Sequence, residues 1–157
     1  MKGRKLSVLW IGLWLLAALH ASALRVQATL GESVASVDSD SKALSGVRLA
    51  ATVHDGYSIQ EITAASVVLK EFVSPSGVVF GITWHGLIHP DLTQILGSYA
   101  SKYKEGLLQI HRGQDRRRLR VTTDQLVVEQ WGHMRNLQGR AYAPDLIPQG
   151  LSIDEIR

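Results

Sequence analysis

The chain has 157 residues, 45% of them hydrophobic and 20% charged, the composition of a folded domain rather than of a disordered or fibrous chain. It contains no cysteine, which excludes disulfides, thiol catalysis and a lipid-modified cysteine. Lys2, Arg4 and Lys5 are the only charges in residues 1–23, so the 17 Lys and Arg less these three leave 14 against 14 Asp and Glu; the net +3 is then no evidence for nucleic-acid or membrane affinity in the remainder.

Those three cations open a secretory signal. They form a positive n-region, Leu6 to Leu19 is an uncharged apolar run, and Ala21-Ser22-Ala23 is the small-x-small pattern that a signal peptidase accepts. The run of 14 residues is shorter than the about 20 that a membrane-spanning helix needs. The expectation is a signal peptide over 1–23, with Val26-Gln27-Ala28 as the alternative cleavage site after residue 28. The mature protein then has no transmembrane span and is periplasmic or secreted. A cysteine-free chain suits such an oxidising compartment.

Residues 24–46 read as a flexible N-terminal arm, because Ser33, Ser36, Ser39, Ser41 and Ser45 alternate with small and acidic residues and show no apolar period. Asp38-Ser39-Asp40-Ser41 resembles the start of a calcium loop. Ala43 occupies the position that needs glycine and Leu49 the position of the closing glutamate, so calcium is rejected.

A single domain is expected over 47–157. Val47–Val53 and Tyr57–Thr63 read as strands around the Asp55-Gly56 turn signal, and Val67–Val73 and Val78–Trp84 as a hairpin around Ser74-Pro75-Ser76-Gly77. In the last of these, alternation assigns Val78, Phe80, Ile82 and Trp84 to one core-facing side. Pro90 and Asp91 then open a helix whose Leu92, Ile95, Leu96, Tyr99 and Tyr103 form one stripe, with Gly106 as its stop. After a polar, basic connection over 107–117 come strands Leu119–Thr123, Leu126–Trp131 and, past a turn at Gly132–Asn136, Leu137–Tyr142. Ser152-x-x-Glu155 is the signature of a capped last turn. The fold class is α+β: an antiparallel β-sheet of about six hairpin-connected strands packed with one main amphipathic helix.

Gly77-Val78-Val79-Phe80, Trp84-His85-Gly86, Pro90-Asp91-Leu92 running to Leu96-Gly97-Ser98-Tyr99, and Gly132-His133-Met134 before Gly139-Arg140-Ala141-Tyr142 together carry a resemblance. The chain resembles a family of small uncharacterised exported proteobacterial proteins, a domain of unknown function, over most of Thr29–Arg157. The resemblance implies a bacterial envelope or secreted setting and supplies no catalytic residue.

Candidate site residues follow from their chemistry. His85-x-x-x-His89 has the spacing of a helical zinc pair, but Gly86 between them and Pro90 after them oppose a helix, so His85 and His89 are weak metal ligands and no cofactor is expected. The chain has no Gly-x-Ser-x-Gly elbow and no glycine-rich phosphate loop. The run Arg112 to Arg120 concentrates Arg116, Arg118 and Arg120; on one edge these suit phosphate or carboxylate polymers, while as the wet face of an edge strand they discourage aggregation. Trp131, His133, Arg140 and Tyr142, with Trp84, supply aromatics, an imidazole and a guanidinium, a set suited to a small anionic or sugar ligand. The favoured function is a non-catalytic binding or interaction module whose partner is an envelope protein or an anionic glycan, with no nucleic acid expected. The alternatives are a metal-binding protein or hydrolase on the scattered histidines, and a lipopolysaccharide or glycan binder through Arg112–Arg120.

Overall fold

A computed structural model describes residues 30–110 and 118–157. The expected signal peptide with its two alternative cleavage sites, and Arg116 with the rest of the basic run up to residue 117, lie outside the described residues. Eight strands form one antiparallel sheet: β1 (Val47–Arg48), β2 (Thr52–His54), β3 (Tyr57–Thr63), β4 (Val67–Val73), β5 (Val79–Gly86), β6 (Arg118–Thr122), β7 (Val127–His133) and β8 (Asn136–Tyr142). Their order is β1-β3-β4-β5-β8-β7-β6, with β2 also on β3. The helices are α1 (Val37–Ala43), α2 (Leu92–Ile95) and α3 (Ala100–Gln109). The α+β class holds. The chain leaves β5 through α2 and α3 to reach the far edge at β6, then returns by hairpins until β8 pairs with β5.

Seven segments read as strands become eight because the expected strand Val47–Val53 is two pieces. Arg48 is opposite Ile62 and Thr52 opposite Ile59, so the edge strand carries one more residue than β3 across this span. Such bulges twist an exposed edge away from further pairing. A second irregularity corrects the expected face of β5. Val73 pairs with Val79 but Phe72 with Gly81, which leaves Phe80 as the extra residue. Phe80 therefore packs with Tyr57 and Phe72, whereas Val79, Ile82 and Trp84 belong to the main core.

The helical region also differs from the single helix expected. Asp91 is the cap, its Oδ1 accepting from the Thr93 amide at 2.9 Å, and Pro90 lies outside α2. Gly97, with φ 49°, interrupts the stripe, and a 3₁₀ turn over Gly97–Tyr99 leads into α3. The stripe survives the break: Leu92, Ile95, Leu96 and Tyr103 are buried and Tyr99 packs against them. Gly106 does not stop the helix, which continues to Gln109. It sits where α3 crosses β6, and a β-carbon there would collide with Val121.

Of the segment 24–46 expected as a flexible arm, the described residues 30–46 pack into the fold. Gly31 donates to Val79 O at 2.8 Å and Val79 to Glu32 O at 2.9 Å, and Leu30 and Val37 are fully buried in the main core, with Val34 and Leu44 packed against it. Val34, Val37 and Leu44 keep helical spacing, and the position between them on that face is taken by Asp40. A buried carboxyl at a core position is what hid the period. The acidic pair of the rejected calcium loop diverges on this helix. Asp38 is exposed and pairs with Arg48 at 2.7 Å, while Asp40 points inward.

The two faces of the sheet are covered unequally. The helices and residues 30–46 seal the first face over Ile62, Leu69, Ile82, Trp84, Val128 and Ala141. Among the described residues only the C-terminal segment lies against the second face, and its Ile156 packs with Tyr57, Phe72, Phe80, Val127 and Tyr142. Gly81 makes room for it: a β-carbon there would lie 3.2 Å from Ile156.

Candidate functional site

The strand register divides the second face into rows. Ile59, Phe72, Gly81, Tyr142, Val127 and Thr122 face one another across six strands and form the row that Ile156 covers. Two residues along each strand comes a polar row, Glu61-Lys70-Thr83-Arg140-Glu129-Arg120. Two residues further is Thr63-Val68-His85-Gln138-Trp131-Arg118. Alternation puts all three rows on one side of the sheet, and the last two extend beyond the apolar row that Ile156 packs on.

Two clefts open on these rows. One, of about 450 Å³, is lined by Arg118, Arg120, Glu129, Trp131, Arg140 and Arg157, among others. The other, of about 210 Å³, is lined by Lys70, Thr83, His85, Asn136, Gln138 and again Trp131 and Arg157. The Trp131 indole divides them and is half-buried. Its Nε1 donates to Gln138 Oε1 at 3.3 Å, and Gln138 in turn donates to Asn136 Oδ1 at 2.9 Å, so the ring is held in place along β8.

The cations here differ in how far they are committed. Arg140 donates through Nε to Glu129 Oε2 at 2.6 Å and reaches the Ile153 carbonyl at 3.3 Å, and its guanidinium lies over the Tyr142 ring at 5.7 Å. It ties the sheet to the C-terminal segment. Arg120 makes a longer contact of 3.4 Å to Glu129 and leaves 66% of its side chain in solvent. Arg118 is exposed. Among the described residues, Glu129 is thus the one acidic side chain in a cleft lined by three strand arginines, and Arg118 and Arg120, about 7 Å apart by strand spacing, hold the surplus positive charge.

The sequence-derived candidates separate accordingly. Trp131, Arg118, Arg120 and Arg140 come together in the larger cleft, and His85 shares the smaller one with Trp131 alone of these. Tyr142 shares their face but lies in the covered row and is buried. Trp84 is buried on the opposite face, where Gly139 leaves room for its indole, and only as a residue of β5 does it border the smaller cleft. Trp84 Nε1 donates to His89 Nδ1 at 3.0 Å, and burial pushes the His89 pKa down, favouring the neutral ring that accepts this bond. His85 and His89 therefore serve different surroundings. Among the described residues no three His, Asp or Glu side chains gather as a metal site. His133 is exposed at the β7–β8 hairpin, 3.4 Å from the Met134 carbonyl. Asp91 caps α2, and its pKa is lowered by the two bonds it accepts from Thr93.

Lys70, Thr83 and Gln138 were not singled out from the sequence. Alternation along β4, β5 and β8 marks each as a wet-face residue, but only the cross-strand register brings them beside Trp131. A second polar set was missed altogether. Glu71 on β4 is fully buried and Asp40 on α1 is 1% exposed, facing it. Gln60, directly across from Glu71, accepts from Arg48 Nη2 at 2.8 Å and Nε at 3.2 Å. Burial raises the pKa of Asp40 to about 6, against a lowering contribution from its hydrogen bond to Glu71. Burial, reinforced by Asp40, raises that of Glu71 well above the ordinary carboxyl range, against a smaller pull from Arg48. Facing each other out of water with both pKa values raised, the two carboxyls are placed to hold a proton between them. Sealed beneath α1, they are out of reach of a ligand and belong to the fold.

Fold and face together define a small antiparallel α+β domain with one sealed sheet face and one half-open, basic and aromatic face. By sequence, residues 26–156 match the family described as "Protein of unknown function (DUF2844)", and the chain belongs to that family. No curated protein and no solved structure matches it.

Proposed function

We propose that the protein is an exported bacterial binding module, without catalytic activity, that takes an anionic ligand on the open half of its second sheet face. The observation that carries this reading is the gathering of Arg118, Arg120 and Arg140 around one half-buried, hydrogen-bonded indole, with Glu129 as the carboxylate among them. Guanidinium groups bind carboxylate, sulfate and phosphate through charge-assisted bonds, and the exposed Arg118 and Arg120 are available to do so. The imidazole of His85 meets Lys70, Thr83 and two amides in its cleft. That set suits recognition of polar groups rather than a nucleophile-and-base arrangement. Among the described residues no helix is long and apolar enough to cross a membrane. The export reading rests on the n-region, apolar run and small-x-small site of residues 1–23.

Heparin-affinity chromatography tests the binding reading. The wild type is expected to elute above physiological salt and the Arg118→Ser/Arg120→Ser variant well below it, because contacts to a polyanion are lost steeply with added salt. Co-elution of the two would remove the face as an anion site. The export reading is tested separately by mass spectrometry of the protein from envelope fractions. An N-terminus at Leu24 or Thr29 is expected, and intact Met1 would contradict it.

A further inference from the structure

The two clefts on the open face differ in chemistry, and the difference narrows the ligand. Resting on the binding reading above, we propose that the ligand is an acidic glycan chain laid across Trp131, with an anionic group in the larger cleft and a hydroxyl-bearing sugar unit in the smaller one. The larger cleft is cationic: Arg118, Arg120 and Arg140 stand against Glu129, and Glu129 is engaged by the last two. Arginine donates and never accepts, so this cleft selects a group that only accepts, such as a carboxylate or sulfate.

The smaller cleft is mixed. Thr83, His85, Asn136 and Gln138 each offer both donor and acceptor atoms, with Lys70 as a cation on its own strand. Sugar hydroxyls likewise donate and accept, so they match such a lining more fully than a phosphodiester, which only accepts. Between the clefts the half-buried indole of Trp131, anchored by Gln138 at 3.3 Å, supplies an apolar surface with a satisfied polar edge. The C–H face of a pyranose ring can lie on it.

Trp131 and Arg157 line both clefts, so one chain occupies them together rather than two separate small molecules. A single-stranded nucleic acid would also stack on Trp131. It would require cations continuing along the strand to follow its phosphates, and past Trp131 these thin from Arg118, Arg120, Arg140 and Arg157 to Lys70 and Arg157, set among amides, a hydroxyl and an imidazole. Charge complementarity therefore favours alternating anionic and hydroxyl-bearing units.

Isothermal titration at about 150 mM salt, where long-range attraction is screened, tests this with four probes. These are oligogalacturonates of one to six units, heparin-derived oligosaccharides of matching lengths, a single-stranded DNA oligonucleotide of equal charge, and inorganic sulfate. At least one of the two acidic glycan series should gain about tenfold or more in affinity between one unit and four, as the second cleft is engaged. It should bind more tightly than the DNA and the sulfate. Trp131→Ala should remove most of that gain and Trp131→Phe should retain it, with circular dichroism confirming that both variants fold. If DNA and glycans bind alike, and Trp131→Ala alters neither while Arg118→Ser/Arg120→Ser weakens both, the glycan inference falls and the basic anion face stands. If no probe binds and the arginine variant changes nothing, both fall.

Discussion

On the helix-covered face of the sheet, Glu71 and Asp40 have been taken wholly out of water and answer mainly to each other, with Arg48 and Gln60 beside them. On the other face, Arg118 and Arg120 stand in solvent around a half-buried indole, and only Arg140 and Glu129 are committed to a close pair at 2.6 Å. The same sheet thus uses polar residues in two ways. Buried ones are expensive and must satisfy one another, so they specify how α1 docks. Exposed ones contribute little to folding and stay free for a ligand. Substitutions on the two faces should differ in kind: stability responds on the first face and binding on the second.

The largest expected effect is in the apolar packing of the sealed face. Leu96 is fully buried among Leu92, Ile95 and the β-sheet. Leu96→Ala should cost about 2–5 kcal/mol in chemical denaturation. A loss below about 0.5 kcal/mol, the usual surface value, would contradict the packing of α2 described above.

Next comes the buried carboxyl pair, whose pH dependence is opposite in sign to that of a salt-bridged carboxylate. Both folded pKa values are raised, Asp40 to about 6 and Glu71 well above its usual range. Between the unfolded pKa near 4 and the folded values, the native state keeps protons that the unfolded chain has released. Stability therefore falls as pH rises through that window, and the penalty is complete above it. For Asp40 alone the shift corresponds to about 2–3 kcal/mol. His89, whose pKa is lowered by burial, works the other way near neutrality and is retained in every variant of the pair. Urea denaturation of wild type and Glu71→Gln at pH 4.5 and pH 8 isolates the pair. Glu71→Gln should gain stability on wild type between the two pH values, and an equal difference at both would show that burial does not raise the Glu71 pKa.

The smallest effects belong to the open face. Arg118→Ser and Arg120→Ser should each change unfolding free energy by less than about 0.5 kcal/mol, since both side chains are exposed and no buried partner is orphaned. Arg140→Ser should cost more, because it leaves the 17%-exposed Glu129 side chain without its 2.6 Å partner. If all three destabilise alike, the division between committed and available arginines is wrong.

Sequence periodicity reached much of this fold because the strongest signals are local. Tyr57–Thr63 and Val67–Val73 are rich in β-branched and aromatic residues and bounded by turn signals, and Leu92, Ile95, Leu96 and Tyr103 mark one helical stripe despite the break at Gly97. What escaped depends on partners. The phase change at Phe80 exists only because β4 and β5 pair out of step there, and the edge strand splits only against β3. Helix α1 was hidden because Ser39, Asp40 and Ser41 are weak helix formers and because Asp40 fills an apolar position. On the open face, Arg118, Arg120, Trp131 and Arg140 were legible as chemistry. Register was needed to add Lys70, Thr83 and Gln138, and to set Tyr142 aside under Ile156, although it lies on the same side of its strand as Arg140.

The division between the two faces is tested most directly by amide chemical-shift mapping of the ¹⁵N-labelled protein titrated with an acidic oligosaccharide. Saturable shifts should cluster on β6, β7 and β8 around Arg118, Arg120, Trp131 and Gln138, reach Lys70 and His85, and leave α1 and the amides of Asp40 and Glu71 unmoved. Shifts centred on α1, or scattered without saturation over the whole surface, would contradict a ligand site on the open half of the second face.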